Sequence, residues 1–335
     1  MRTPHGLPLD PADAQRDCTL TLCAHSRAAI SVPHSGGGYQ PTRAKITRPP
    51  SDMINSRPHS EGSRTVSQGV GWIPDEIDIS VPSMARIYDY MLGGAHNFPA
   101  DRQFAEKAIV IDPTLPAVAR ACRATLGRMI PFLIESGVRQ FIDCGSGIPT
   151  SSNVHQIAQN IDPSCRILYV DNDPIAVAHS ELMLADNDRA TMLRADLRDP
   201  AFVLSSPEAG SLLNLNEPVA LLFSMILHWI PDAEGVYDMV RQYREAVPSD
   251  SHLAIFHAGT EVENKQADLD EALKNAPTHQ VTLRTRDQLD ELFGEFELVE
   301  PGLVSPADWR PRQPVVVSDE DDVSRMVFAG VGRKP

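Results

Sequence analysis

The run Asp143-Cys144-Gly145-Ser146-Gly147-Ile148-Pro149 directly follows a short apolar stretch that reads as a β-strand. Glycines in a strand-to-helix turn let a ligand approach the backbone closely, at the end of a sheet where ligands sit. Two ligand classes compete for such a turn. A dinucleotide fingerprint is G-x-G-x-x-G/A, and here the sixth position is Thr150. Asp143 would also set a carboxylate beside a pyrophosphate, where like charges repel. S-adenosylmethionine carries an ammonium and a sulfonium and no phosphate, so an acid at 143 suits it. The plain alternative is an ordinary glycine turn with a helix-capping aspartate.

Further acids stand at the ends of the next two predicted strands. Asp171 lies 24 residues after Gly147. A carboxylate there accepts both hydroxyls of a ribose, each charge-assisted bond being worth roughly 1.5–3 kcal/mol. NAD would use the same acid, so Asp171 indicates a nucleoside without choosing the cofactor. Asn172 is a cofactor-side candidate beside it, while Asp173 before Pro174 reads as a helix cap. Asp196 can accept from the exocyclic amine of adenine while Leu197 covers the ring; a helix cap or loop acid is the other reading.

The fourth strand ends in Ser224-Met225-Ile226-Leu227-His228-Trp229, on the side of the cofactor's reactive end, and Ser224 joins the cofactor-binding candidates. His228 is the candidate general base, since an unperturbed imidazole titrates near working pH. A packed, hydrogen-bonded structural histidine is the alternative, and the same choice holds for His257. The Asn/Asp-Pro-Pro-aromatic motif of amino-methylating enzymes does not occur at this position, nor does a Pro-Cys nucleophile.

The elements that must carry these residues follow from local pattern. Short, wholly apolar strands are predicted at 139–143, 166–170, 191–194, 219–225 and 252–257. Helical stretches between them (151–160, 175–184, 233–246) imply a parallel sheet covered on both faces. A helix (286–293), a strand (296–299) and a last strand (325–331) close the chain, with an antiparallel pair expected at one edge. Before the sheet, helices are predicted from Ser83 as cap through Met91, from Pro99 to Ile109, and from Leu115 to Ser136. Three regions are expected: a disordered extension over 1–70, a helical cap over 71–136, and a Rossmann-like domain over 137–335.

The extension is rich in Pro, Ser, Gly and Arg and shows no apolar period, so burial cannot offset its ordering entropy. It carries a net charge of +3, against −15 for all 335 residues. So acidic a surface repels phosphate backbones, and nucleic acid is a poor partner. The longest apolar run, Val219 to Ile230, is too short to span a bilayer, so no membrane association is expected. No secretory signal pattern opens the chain, and its five cysteines are odd in number and mostly scattered. A reducing cytoplasm fits them better than a disulfide framework, and no zinc or other metal site is expected.

With these segments assembled, the chain resembles class I S-adenosylmethionine-dependent methyltransferases. More narrowly, it resembles the bacterial S-adenosyl methyltransferase family, once a domain of unknown function. The likeness covers about residues 74–335. It rests on Val81 to Gly94, Asn97-Phe98-Pro99-Ala100-Asp101-Arg102, Asp143 to Thr150 with Asn153-Val154-His155, Val170 to Pro174, Ala195 to Pro200, and Glu300 to Val304. The resemblance implies a doubly wound α/β sheet of seven strands with the last antiparallel. It implies cofactor contacts from Asp143, Gly145, Gly147, Asp171, Asp196 and Leu197. It also implies that Tyr88, Asn97, Asp101 and Arg102 close over the methionine end. Cys122 stands where the family pattern has Asn, so no polar contact is assigned there.

The resemblance implies methyl transfer but supplies no acceptor; the expected activity is in-line transfer to an unidentified small-molecule acceptor, in a monomer or homodimer. Two other functions are weighed against it: a nucleoside-binding regulator without catalysis, and an NAD-linked oxidoreductase.

Overall fold

The computed structural model describes residues 78–150, 152–259, 281–311 and 327–335. The expected N-terminal extension, 1–70, lies outside them. Three helices come first: α1 (Met84–Met91), α2 (Pro99–Ile111) and α3 (Leu115–Glu135). Strands and helices then alternate: β1 (Gln140–Cys144), α4 (Val154–Ile161), β2 (Arg166–Asp171), α5 (Pro174–Leu184) and β3 (Ala190–Arg194). Next come α6 (Pro200–Ser205), α7 (Pro207–Leu212), β4 (Val219–Ser224), α8 (Val236–Glu245) and β5 (His252–Ala258). The chain finishes with α9 (Arg286–Phe293), β6 (Glu297–Leu298) and β7 (Val327–Arg333).

The seven strands form one sheet in the order β3-β2-β1-β4-β5-β7-β6. β1 pairs in parallel with both β2 and β4, and only β7 runs against its neighbours. The expected mostly parallel sheet with a reversed last strand is therefore present. Because β1 is flanked by strands reached in opposite directions, a crevice opens at its C-terminal end, the usual ligand site of such sheets.

The strands lack polar alternation because both faces are covered. Ile142, Cys144, Leu168, Val170, Leu221 and Phe223 share a core with α8 and α9 residues such as Val240 and Leu292. Phe141, Tyr169, Leu222 and Phe256 face the other way, into a core with Leu126, Met129 and Ile130 of α3 and Ala158 of α4. The two-residue strand period puts Asp143, Asp171 and Ser224 on this second face, just past its apolar part.

Two local expectations change. Ser83 occupies the position before α1 in extended backbone, but its side chain makes no cap. Its hydroxyl instead donates to Asp173 Oδ2 at 2.5 Å. Two short helices, α6 and α7, interrupt what the sequence pattern left as a connection; Asp199 and Ser206 cap them, each followed by proline. Six residues give too few turns to register as a helical period.

Candidate active site

The turn after β1 is pinned to β2 by backbone bonds. Gly145 and Ser146 amides donate to Val170 O at 2.8 and 3.2 Å. The Gly147 amide donates to Asp171 Oδ2 at 2.7 Å, and Asp173 N donates to Oδ1 at 2.9 Å. Gly145 and Gly147 take φ of +72° and +67°, backbone that favours glycine. A Cβ on Gly145 would lie 2.5 Å from Ile226 Cγ1, whereas one on Gly147 would meet open space. Burial raises the pKa of Asp171, with the backbone donors of Asp173 and Gly147 pulling it back.

Asp143 stands beside this pair, nearly buried, and burial pushes its carboxyl up to about 7. The charge of Arg123 opposes that rise and the charge of Asp171 adds to it. Arg123 comes from α3, donates to Ser152 O at 2.9 Å, and lines a polar cavity with Asp143, Ser146, Gly147, Asn153 and Tyr169. The cavity measures about 10 Å³, the space of one water molecule. Ser146 Oγ is buried there with no hydrogen-bond partner. Sequence reasoning missed Arg123, because nothing in a helical pattern reveals that one arginine points at a strand end.

The rim continues onto β3, where the Ala195 amide donates to Asp171 O at 3.1 Å. Asp196 is half-buried and gripped by Arg198, whose Nε sits 3.0 Å from both carboxylate oxygens and whose Nη2 sits 2.6 Å from Oδ2. Those bonds lower the pKa of Asp196, and Arg198 also reaches Glu234 at 2.7 Å. Leu197 is buried in the core of α8 and β4, its carbonyl accepting from Tyr243 Oη at 3.0 Å. Asn172 is exposed beside Asp171, and Ser224 is half-buried at the end of β4, across β1 from β2.

His228 makes no hydrogen bond to these acids among the described residues. It is buried against Trp229 and His257, with ring centroids 4.9 and 5.5 Å away, and its Nδ1 has no partner. Burial, helped by the charge of Arg284, brings its pKa down to about 3. His257 is depressed by burial and by the charges of His228 and Arg284.

The four candidates from the helical segment have partners of their own. Asp101 is fully buried and accepts from Ser83 N, Phe98 N and Arg86 Nε at 2.8–2.9 Å. Asn97 donates to Asp89 Oδ2 at 2.9 Å and accepts from Arg102 at 3.0 Å, and the Tyr88 hydroxyl donates to Ala119 O at 3.2 Å. The network reaches the strand ends through Ser83, which meets Asp173, and through Ala85 and Phe98, which pack on Ile148 of the turn and on Ile175. These residues therefore position a helix pair against the glycine turn.

A sheet of this order, with acids on the β1 and β2 ends of its crevice, defines a Rossmann-like, nucleoside-binding methyltransferase fold. The chain belongs to the S-adenosyl methyltransferase family, whose model matches residues 70–335. It is an S-adenosylmethionine-dependent methyltransferase. A candidate methyltransferase from Thermobifida fusca YX is 36% identical, covering 79% of this chain and 99% of its own, with a TM-score of 0.73. A DUF574 family protein from Streptomyces avermitilis MA-4680 is 37% identical, covering 77% and 99%, with a TM-score of 0.72. No curated protein matches the chain.

The donor set fits the family's cofactor. Asp143 offers an acceptor to an ammonium, Arg123 a cation to a carboxylate, and Asp171 acceptors to hydroxyls. The orphaned Ser146 hydroxyl sits among them. Among the described residues, no group of histidine, cysteine and acidic side chains is placed to hold a metal. No helix of the described residues is long and apolar enough to cross a membrane.

Proposed function

We propose that the chain transfers a methyl group to a small-molecule acceptor by in-line displacement, with the crevice at β1 and β4 as its active site. Bound S-adenosylmethionine supplies a methyl group already activated on a sulfonium. The chain's own task is then to align acceptor and methyl group and to exclude water. In this reading Asp143 and Arg123 grip the amino-acid head group, and Gly145 and Gly147 lay bare backbone beneath it. Asp171, with Asn172 beside it, takes the ribose hydroxyls. Asp196 and Leu197 bound the adenine, and Ser224 faces the reacting end. Asn97, Asp101, Arg102 and Tyr88 brace the helical segment as a cap over the turn rather than touching the acceptor.

His228 stands second to alignment. An imidazole whose pKa lies near 3 is a feeble proton acceptor at neutral pH. An acceptor reaching this site brings a nucleophile that needs little help. The overall charge of −15 favours a small molecule over nucleic acid as that acceptor.

One observation carries the cofactor assignment: two buried carboxylates, Asp143 and Asp171, meet at one glycine turn. Such a pair welcomes an ammonium beside ribose hydroxyls and repels a diphosphate. Calorimetric titration with S-adenosylhomocysteine and, separately, with NAD tests it. Binding of S-adenosylhomocysteine alone is expected; binding of NAD alone overturns the reading.

A further inference from the structure

Arg284 is fully buried, which is rare for a guanidinium without a dedicated set of partners. It has one. Its Nη1 donates to Leu227 O at 3.0 Å and to His257 Nε2 at 2.6 Å. Its Nη2 donates to Ile230 O at 2.8 Å and to Asp232 Oδ1 at 2.6 Å, and its Nε to the same oxygen at 3.1 Å. All five N–H donors of the fork are thereby used. The guanidinium also lies 5.7 Å over the Tyr237 ring. Four of the five bonds go to a single stretch, Leu227 to Asp232, and the fifth to the end of β5.

That stretch continues directly from β4 into the crevice. Met225 holds φ of +58°, a left-handed conformation unusual for a side chain of its size. Ile226 follows, and its Cγ1 occupies the space just above Gly145 of the turn. The Trp229 and Ile230 amides close back on Ile226 O and Leu227 O at 3.0 and 3.1 Å. The strained residue and the one touching the glycine turn are thus held from one side by β4 and from the other by Arg284. A buried filler of the same volume would not fix two carbonyls and a carboxylate at once; a planar fork does.

We propose that Arg284 is a positioning residue for methyl transfer: its fork sets the Leu227–Asp232 turn and thereby seats Ile226 against Gly145, shaping the cofactor side of the crevice. The inference rests on the reading that the turn from Asp143 to Gly147 holds the cofactor. Lysine keeps the charge but offers three donors on a flexible stem, so it restores the clamp only in part.

The test uses the full chain and calorimetric titration with S-adenosylhomocysteine, at a temperature where circular dichroism shows every variant folded. Arg284→Gln is expected to raise Kd at least about tenfold, with Arg284→Lys between it and the wild type. Ile226→Ala, combined with Arg284→Gln, is expected to add little to Arg284→Gln alone, because both act through one contact. An unchanged Kd in Arg284→Gln, or fully additive effects in the double variant, overturns the proposal. Should Arg284→Gln fail to fold, Asp232→Asn removes one half-exposed partner and leaves the arginine in place. It is expected to raise Kd by about threefold, and an unchanged Kd overturns the proposal equally. Asp171→Ala runs in parallel: if it binds as tightly as wild type, the reading of the turn itself fails. If it alone weakens binding, only the clamp fails.

Discussion

The Asp171 carboxylate accepts the Gly147 amide at 2.7 Å, so the acid at the end of β2 holds the glycine turn at the end of β1. One side chain thereby shapes the turn and faces the crevice. In the proposed reading, replacing it removes a ribose acceptor and loosens the backbone beneath the ligand. Asp171→Ala is expected to weaken S-adenosylhomocysteine binding by about 10- to 100-fold, measured by calorimetry. Asp171→Asn, which keeps an oxygen for Gly147, is expected to fall between.

Asp143 predicts a trade between stability and binding. Its carboxyl titrates near 7 in the fold because it is buried, well above its value in an unfolded chain. The folded state therefore binds more protons, and stability falls as pH rises from about 4 through 7. Asp143→Asn mimics the neutral form. Without ligand at pH 8 it is expected to be more stable than wild type, by up to ~4 kcal/mol, the gain vanishing near pH 4. Thermal melts at both pH values check this. The same variant is expected to lose cofactor affinity, and wild-type affinity is expected to rise with pH through 7.

The two glycines of the turn differ in what surrounds them. Gly147→Ala meets only the strain of positive φ, about 1 kcal/mol. Gly145→Ala adds a clash with Ile226 and is expected to cost about twice as much in ligand-free melts. Ile226→Ala in the same chain is expected to recover the difference.

His228→Gln is expected to lower kcat by less than about tenfold. A general base is worth roughly 10²–10⁴-fold. The pH profile of kcat is expected to show no imidazole step between pH 6 and 8, since His228 remains neutral throughout that range. A hundredfold loss with a shifted profile would make it the base.

Much of this was legible in residue order. The wholly apolar strands and the proline after Asp173 led directly to β1 to β5 and to the cap of α5, where Asp173 accepts from Ile175 N and Ala176 N. The turn at 143–149 and the acid at 171 could be paired because strand ends in a parallel sheet share one rim. Side-chain direction could not be read. Ser83 looks like a cap but bonds to Asp173, 90 residues away. Asp196 and Arg198 grip each other, and Arg123 and Arg284 find their places only through packing across the sheet. His228 looks titratable in sequence, and only its burial against Arg284 and His257 shows why it stays neutral.

The most direct check is a crystal structure with S-adenosylhomocysteine bound. Both ribose hydroxyls are expected within hydrogen-bond distance of Asp171, and the amino group beside Asp143. A nucleoside seated elsewhere, with Asp171 still engaged only by Gly147 and Asp173, would contradict the account.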